Sequence, residues 1–182
     1  EAYCVLLPQN REEALTIVNE FKLIFEDKTI TKIGQNVKFD MLILAQYGIN
    51  VSEPLFDTLI AHYLIQPEIK HNLDYLCELY LNYKKIPTEE LIGNKGASQK
   101  TMRSVDKDKL VEYACEDADF TFQLKPKLEK ELIDNHLMEL FQKVEMPLVP
   151  VLASMELNGV KIDPEALKNF AAELRLQIIQ LE

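Results

Sequence analysis

Two stretches of the 182-residue sequence place oxygen-bearing side chains where helical spacing aims them together. In Tyr113-Ala114-Cys115-Glu116-Asp117-Ala118-Asp119, a helix puts the phenol of Tyr113 and the carboxylate of Asp117 on one face, with Leu110, Ala114 and Thr121. The small Ala114 and Ala118 allow close backbone approach, while Glu112, Glu116 and Asp119 read equally well as a solvated face. In the second stretch, Gly34-Gln35-Asn36-Val37-Lys38-Phe39-Asp40, Asn36 stands at a helix start and Asp40 one turn in, directly before the apolar Met41-Leu42-Ile43-Leu44. A carboxylate in that place either faces solvent, stabilised by the helix dipole, or faces a polar cavity that needs charge compensation.

Other chemistries are absent or weakly signalled. His62, His71 and His136 share no metal-ligand spacing and read as structural or surface residues. There is no Gly-rich phosphate loop, HExxH or GxSxG. Cys4, Cys77 and Cys115 are widely spaced, which fits a reducing compartment, with the cytoplasm as default, and excludes a CxxC zinc site. Charged residues and prolines interrupt every apolar run before it reaches membrane-span length. Thirty acidic against twenty basic residues give a formal charge of −10, which argues against a protein that coats the phosphate backbone by charge alone. The segment from Lys84 to Arg103 reverses that sign: Lys84, Lys85, Lys95, Lys100 and Arg103 outnumber Glu89 and Glu90. Lys95, Lys100 and Arg103 are therefore weak candidates for contact with a nucleic-acid strand, a solvated loop being the alternative.

The elements that position these residues alternate strand and helix. Ala2 to Leu7 reads as a strand ended by Pro8, and Asn10 with Glu13 forms a capping box opening a helix over 11–26. Thr29 to Ile33 predicts a strand, followed by a helix from Val37 that Gly48 stops. A short strand over 54–57, a helix from Asp57 to Ile65 and another around Leu73 to Tyr80 come next. A long helix begins near Asp106, kinked or divided by Pro126, and one more runs from Leu137 to Leu157 through Pro147 and Pro150. The strand-like Val160-Lys161-Ile162 leads to Asp163-Pro164, an N-cap and N1 proline that open the last helix. A domain boundary is expected between 135 and 145.

Taken together, Asn36-x-x-Phe39-Asp40, Phe56-Asp57-Thr58 and Tyr113-x-x-x-Asp117 resemble the second and third motifs of the 3′–5′ exonucleases of the DEDD class that carry a tyrosine in the last motif. The stretches Glu145-Met146-Pro147-Leu148-Val149-Pro150-Val151-Leu152 and Asn158-Gly159-Val160-Lys161-Ile162-Asp163 extend the resemblance to bacterial family-A DNA polymerases, the DNA polymerase I family. It covers essentially the whole chain.

The resemblance implies an α/β, RNase H-like exonuclease fold: a mixed sheet flanked by helices, lacking its first strands, with residues 1–140 as a proofreading domain truncated at its N-terminus and 141–182 as the entry into the polymerase thumb. It implies template-directed DNA synthesis by the parent protein, and proofreading by two-metal phosphodiester hydrolysis with Mg²⁺ or Mn²⁺, for which oxygen ligands are suited. Asp117 and Asp40 take the places of metal ligands, Tyr113 that of a residue orienting the attacking water, and Asn36 that of a weaker substrate contact. The family's first Asp/Glu motif would lie upstream of Glu1, so the chain alone is expected to be weakly active or inactive. It is also expected to self-associate through unpaired strand edges. DNA is the implied partner, as a single-stranded 3′ end here and as primer-template in the parent. Two other readings follow from the same motifs: a non-catalytic exonuclease-like module that guides DNA, and an RNase D-like exoribonuclease, against which the stretch from Glu145 to Asp163 argues.

Overall fold

A computed structural model describes residues 1–94, 96 and 98–181. Asn10 opens α1 (Arg11–Asn19) as its sequence suggests, its side-chain oxygen accepting from the backbone N–H of Glu12 and Glu13. The helix expected over 11–26 is broken, however: α2 (Lys22–Glu26) starts afresh after Phe21. β1 (Lys32–Gly34) begins later than the β-branched run at 29–33, because Asp27 accepts from both the N–H and the hydroxyl of Thr29 in a local turn. α3 (Val37–Ala45) follows and ends through Gly48 (φ +75°), whose successor Ile49 donates back to the carbonyl of Leu44.

β2 (Leu55–Asp57) pairs in parallel with β1, Ile33 opposite Phe56, and α4 (Thr58–Ile65) and α5 (Leu73–Leu81) succeed it. A short α6 (Thr88–Ile92) lies in the basic segment, and α7 (Lys107–Asp134) crosses the molecule. α7 runs unbroken through Pro126, correcting the expected division at that residue: one missing N–H removes one hydrogen bond, while the buried Thr121, Leu124, Leu128 and Leu132 hold both halves to the same core. α8 (Met138–Leu140) passes through a π-helical turn (Phe141–Glu145) into α9 (Met146–Asn158). The π turn sits just ahead of Pro147, whose ring nitrogen cannot donate to the preceding turn. α10 (Pro164–Leu181) is capped by Asp163, which accepts from Glu165 and Ala166, and buries no residue.

Two expected strands do not form. Residues 2–7 and 160–162 belong to no ladder among the described residues, and Tyr3 and Val160 are largely exposed. Strand propensity alone does not hold an extended segment that has no partner to pair with. The sheet among the described residues accordingly contains two parallel strands rather than a mixed set. No described helix is long and apolar enough to cross a membrane.

One core joins these elements. Val37, Leu55, Phe56, Leu76, Leu124 and Leu128 pack together with Phe141, Met146 and Val149, so residues on both sides of the expected boundary share buried surface. α4 and α5 rest on α7, and α3 rests on α9, where Lys38 and Glu156 form an ion pair. Asp40 and Asp117 therefore stand on two helices anchored to one core.

Candidate active site

The α3 side of the site is built around one buried carboxylate. Asn36 adopts a left-handed conformation (φ +64°) and its side chain does not cap α3. Asp57, at the end of β2, caps it instead: its oxygens accept from Asn36 N at 3.1 Å and Val37 N at 2.7 Å. The same carboxylate caps α4, accepting from Leu59 N at 2.9 Å and Ile60 N at 3.3 Å. Only 1% of Asp57 is exposed, and burial pushes its pKa up against the four backbone N–H groups that pull it down. Gly34 lets the first turn of α3 come close, since a Cβ there would lie 2.6 Å from Val37 Cγ2. Gln35 ties the turn sideways: its amide donates to the carbonyl of His71 at 2.7 Å and its oxygen accepts from the Thr58 hydroxyl.

On this base α3 presents Asp40. The residue is exposed on its outer side, but the protein beneath its carboxyl group and the neighbouring Asp57 push its pKa up to about 6. No basic side chain is paired with it among the described residues.

The α7 side is built differently. Asp106 caps the helix, and Tyr113 and Asp117 share a face as their spacing predicts. The loop before α6 is pinned to that helix by Glu116, whose carboxylate accepts from Tyr83 Oη at 2.7 Å and Ile86 N at 3.0 Å. Between those two contacts Lys85 turns inward, its side chain only 2% exposed. Its ammonium nitrogen lies 2.9 Å from Asp117 Oδ1, 3.1 Å from Asp74 Oδ1 and 4.4 Å from the centre of the Tyr113 ring. Burial works to lower the Lys85 pKa, and Asp117 with Asp74 outweighs it, holding the group above the ordinary lysine value. Burial pushes the Tyr113 phenol up, so it carries its proton at neutral pH, and its oxygen shares a hydrogen bond of 2.9 Å with the Thr88 hydroxyl.

The two sides meet. Asp40, Asp117, Gly34, Gln35, Ala114 and Thr121 line one cavity of about 500 Å³, with Leu73 and Phe122 as its apolar wall. Two carboxylates line one space, Asp40 without a basic partner and Asp117 held at Oδ1 by the Lys85 ammonium, and together they offer oxygen ligands suited to a hard divalent cation. Among the described residues no group of three or more acidic, histidine or cysteine side chains is arranged to hold a metal ion. Tyr113 stands one turn from Asp117 with its ring 4.4 Å from the Lys85 ammonium, and it does not line the cavity. Asn36, Lys100 and Arg103 are exposed and do not line the cavity, and Lys95 lies outside the described residues.

Sequence reasoning named Asp57 only within the Phe56-Asp57-Thr58 motif, Lys85 only in the basic segment and Glu116 only as a solvated face, and gave none of them a place in the site. An aspartate directly before an apolar helix is an N-cap signal and would have found Asp57. Lys85 and Glu116 carried no such signal, because a lysine in a basic segment and a glutamate on a helix both read as solvated.

The family model described as 3′-5′ exonuclease matches residues 1–133. DNA polymerase I of Rhizobium leguminosarum is 35% identical over 162 residues, covering 88% of this chain and 16% of that protein. The enzyme of the same name from Borreliella burgdorferi is 39% identical over 152 residues, covering 84% of this chain and 16% of that protein. The chain thus spans about one sixth of the length of these curated relatives. Among solved structures, Brucella melitensis NrnC superposes with a TM-score of 0.61 at 26% identity, covering 74% of this chain and 62% of the other. The POL domain of Pol1 from M. smegmatis, in complex with DNA primer-template and dNTP, gives 0.69 at 22% identity over 95% of this chain and 26% of the other, a likeness of fold. Match, relatives and geometry agree on the RNase H-like exonuclease fold, and the chain belongs to the 3′–5′ exonuclease family of family-A DNA polymerases.

Proposed function

We propose that this chain carries part of the proofreading site of a bacterial DNA polymerase I and removes nucleotides from single-stranded DNA 3′ ends presented by that polymerase. The observation that carries the reading is the convergence of Asp40 and Asp117, from two separate helices, on one cavity. The NrnC structure with bound Mg²⁺, also similar in fold, is consistent with a divalent metal, and Mg²⁺ or Mn²⁺ suits the donors here. A divalent ion in such a site stabilises charge on the phosphodiester oxygens and lowers the pKa of water.

The chain's own groups divide the remaining work. Asp117 and Asp40 would hold the cation, with Asp57 fixing the turn from which Asp40 projects. Tyr113 directs its hydroxyl, now shared with Thr88, toward the attacking water and orients it. Leu73 and Phe122 give the terminal nucleotide an apolar wall, and Asn36, Lys95, Lys100 and Arg103 serve as polar contacts for the incoming strand. With only two carboxylates, hydrolysis by this chain alone is slow. Residues 1–140 form the exonuclease unit and 141–182 the start of the polymerase domain, whose site receives the primer-template in the cytoplasm.

The experiment is a 3′-end degradation assay on labelled single-stranded DNA with the intact polymerase, comparing D40A and D117A. Each substitution is expected to slow hydrolysis by on the order of a hundredfold while leaving DNA synthesis in place. Unchanged hydrolysis in both variants would reject the reading. Running RNA of the same sequence beside the DNA separates this proposal from an RNase D-like activity, which would prefer the RNA.

A further inference from the structure

The Asp117 side of the site contains a cation supplied by the protein itself. Lys85 is almost completely enclosed, and its ammonium group stands between Asp117 and Asp74, beneath the face of Tyr113. A buried charge is tolerated only where partners compensate for its lost hydration, and here both carboxylates and an aromatic face do so. The local structure holds it there: Glu116 grips the chain on both sides of Lys85, through Tyr83 and Ile86, and Thr88 just beyond it bonds Tyr113. Both residues that α7 contributes to the site are thus contacted from one short segment.

We propose that Lys85 is a positioning residue that acts as the resident counter-ion of Asp117, keeping Asp117 and Tyr113 in register until a divalent cation displaces it. The inference rests on the reading of Asp117 as a metal-holding carboxylate. Asp117 Oδ1 faces the ammonium and cannot give full ligation to an ion while Lys85 remains against it. Asp74 offers the lysine a place to withdraw to, since it already touches the same nitrogen and is 40% exposed. The arrangement sets a threshold: a fixed positive charge beside the site weakens cation binding, and in return the carboxylate and phenol are held in place without metal.

The test measures Mn²⁺ binding to the purified protein by electron paramagnetic resonance for wild type, K85M, K85R and the double variant K85M/D117N. Methionine keeps the volume and removes the charge; arginine keeps the charge. K85M is expected to bind Mn²⁺ about tenfold more tightly than wild type, the scale of one partly screened charge interaction. K85R is expected to resemble wild type, and the double variant to lose the gain. Equal or weaker binding by K85M, or a gain that survives loss of Asp117, would overturn the proposal. Should K85M fail to fold, the wild-type protein supplies a second measurement. Amine acylation mapped by mass spectrometry should find Lys85 protected in chelator and labelled several-fold faster as Mg²⁺ is added, and constant protection would overturn the proposal equally. A gain in Mn²⁺ affinity with no Asp117-dependent DNA hydrolysis in the intact polymerase would leave this inference standing and remove the exonuclease reading.

Discussion

The two halves of the site each contain an aspartate drawn out of water, and they satisfy it by opposite means. Asp57 is surrounded by four backbone N–H groups belonging to the starts of α3 and α4. Such partners are fixed by the helices themselves, so the carboxylate cannot give up a contact without loosening two elements. Asp117 relies on a lysine side chain, which reaches it from a loop and touches a second carboxylate as well. A side chain can move where a helix terminus cannot. The difference separates a carboxylate that builds the site from one free to exchange partners.

Substitutions that break this contrast should differ in what they destroy. The largest effect is expected for D57A, which uncaps two helices at a position 1% exposed and should cost about 3 kcal/mol of stability, read by urea unfolding. G34A comes next. Its new Cβ would meet Val37 Cγ2 at 2.6 Å, and an overpacking cost of about 2 kcal/mol is expected, partly recovered in G34A/V37A. D117N should cost only about 1 kcal/mol, because Asp117 is 35% exposed and Lys85 keeps Asp74 as a partner. If D117N unfolds the protein as severely as D57A, the two carboxylates are not different in kind and the contrast fails.

How much of this was legible beforehand follows the same division. Helix positions were readable where a cap and an apolar period coincide, as at Asn10, Asp106 and Asp163. The shared face of Tyr113 and Asp117 followed from helical spacing alone. Strands at 2–7 and 160–162 were misread because a strand is a property of a pair, and propensity describes one member. Pro126 was overrated as a breaker, since a regular row of buried leucines outweighs one lost hydrogen bond. Lys85 was hidden for a further reason. Its burial depends on Glu116 and Asp117, about thirty residues away in sequence, and no local pattern records that meeting.

The smallest expected effect concerns pH, where two groups oppose one another. Asp40 has its pKa raised from 3.8 to about 6, so the folded protein holds a proton there that the unfolded chain has released. Its contribution to stability is therefore present at the acidic end and lost as pH rises through about 6. His62 is fully buried, with Nδ1 2.9 Å from Nδ1 of His71, and burial with that neighbour lowers its pKa from 6.5 to about 4. Its contribution is present above 6.5 and lost as pH falls toward 4, the reverse direction over nearly the same window. Wild-type stability should consequently change little between pH 4 and 6.5 on account of these two groups. D40N removes one side of the balance while leaving Asp57 and its caps intact. Its denaturation midpoint should rise with pH across that window more steeply than that of wild type, and H62N should show the opposite tilt. Parallel profiles for wild type and D40N would mean that Asp40 is no more reluctant to ionise than an ordinary surface aspartate. The cavity would then lack the unpaired carboxylate that distinguishes its α3 side from the side that Lys85 neutralises.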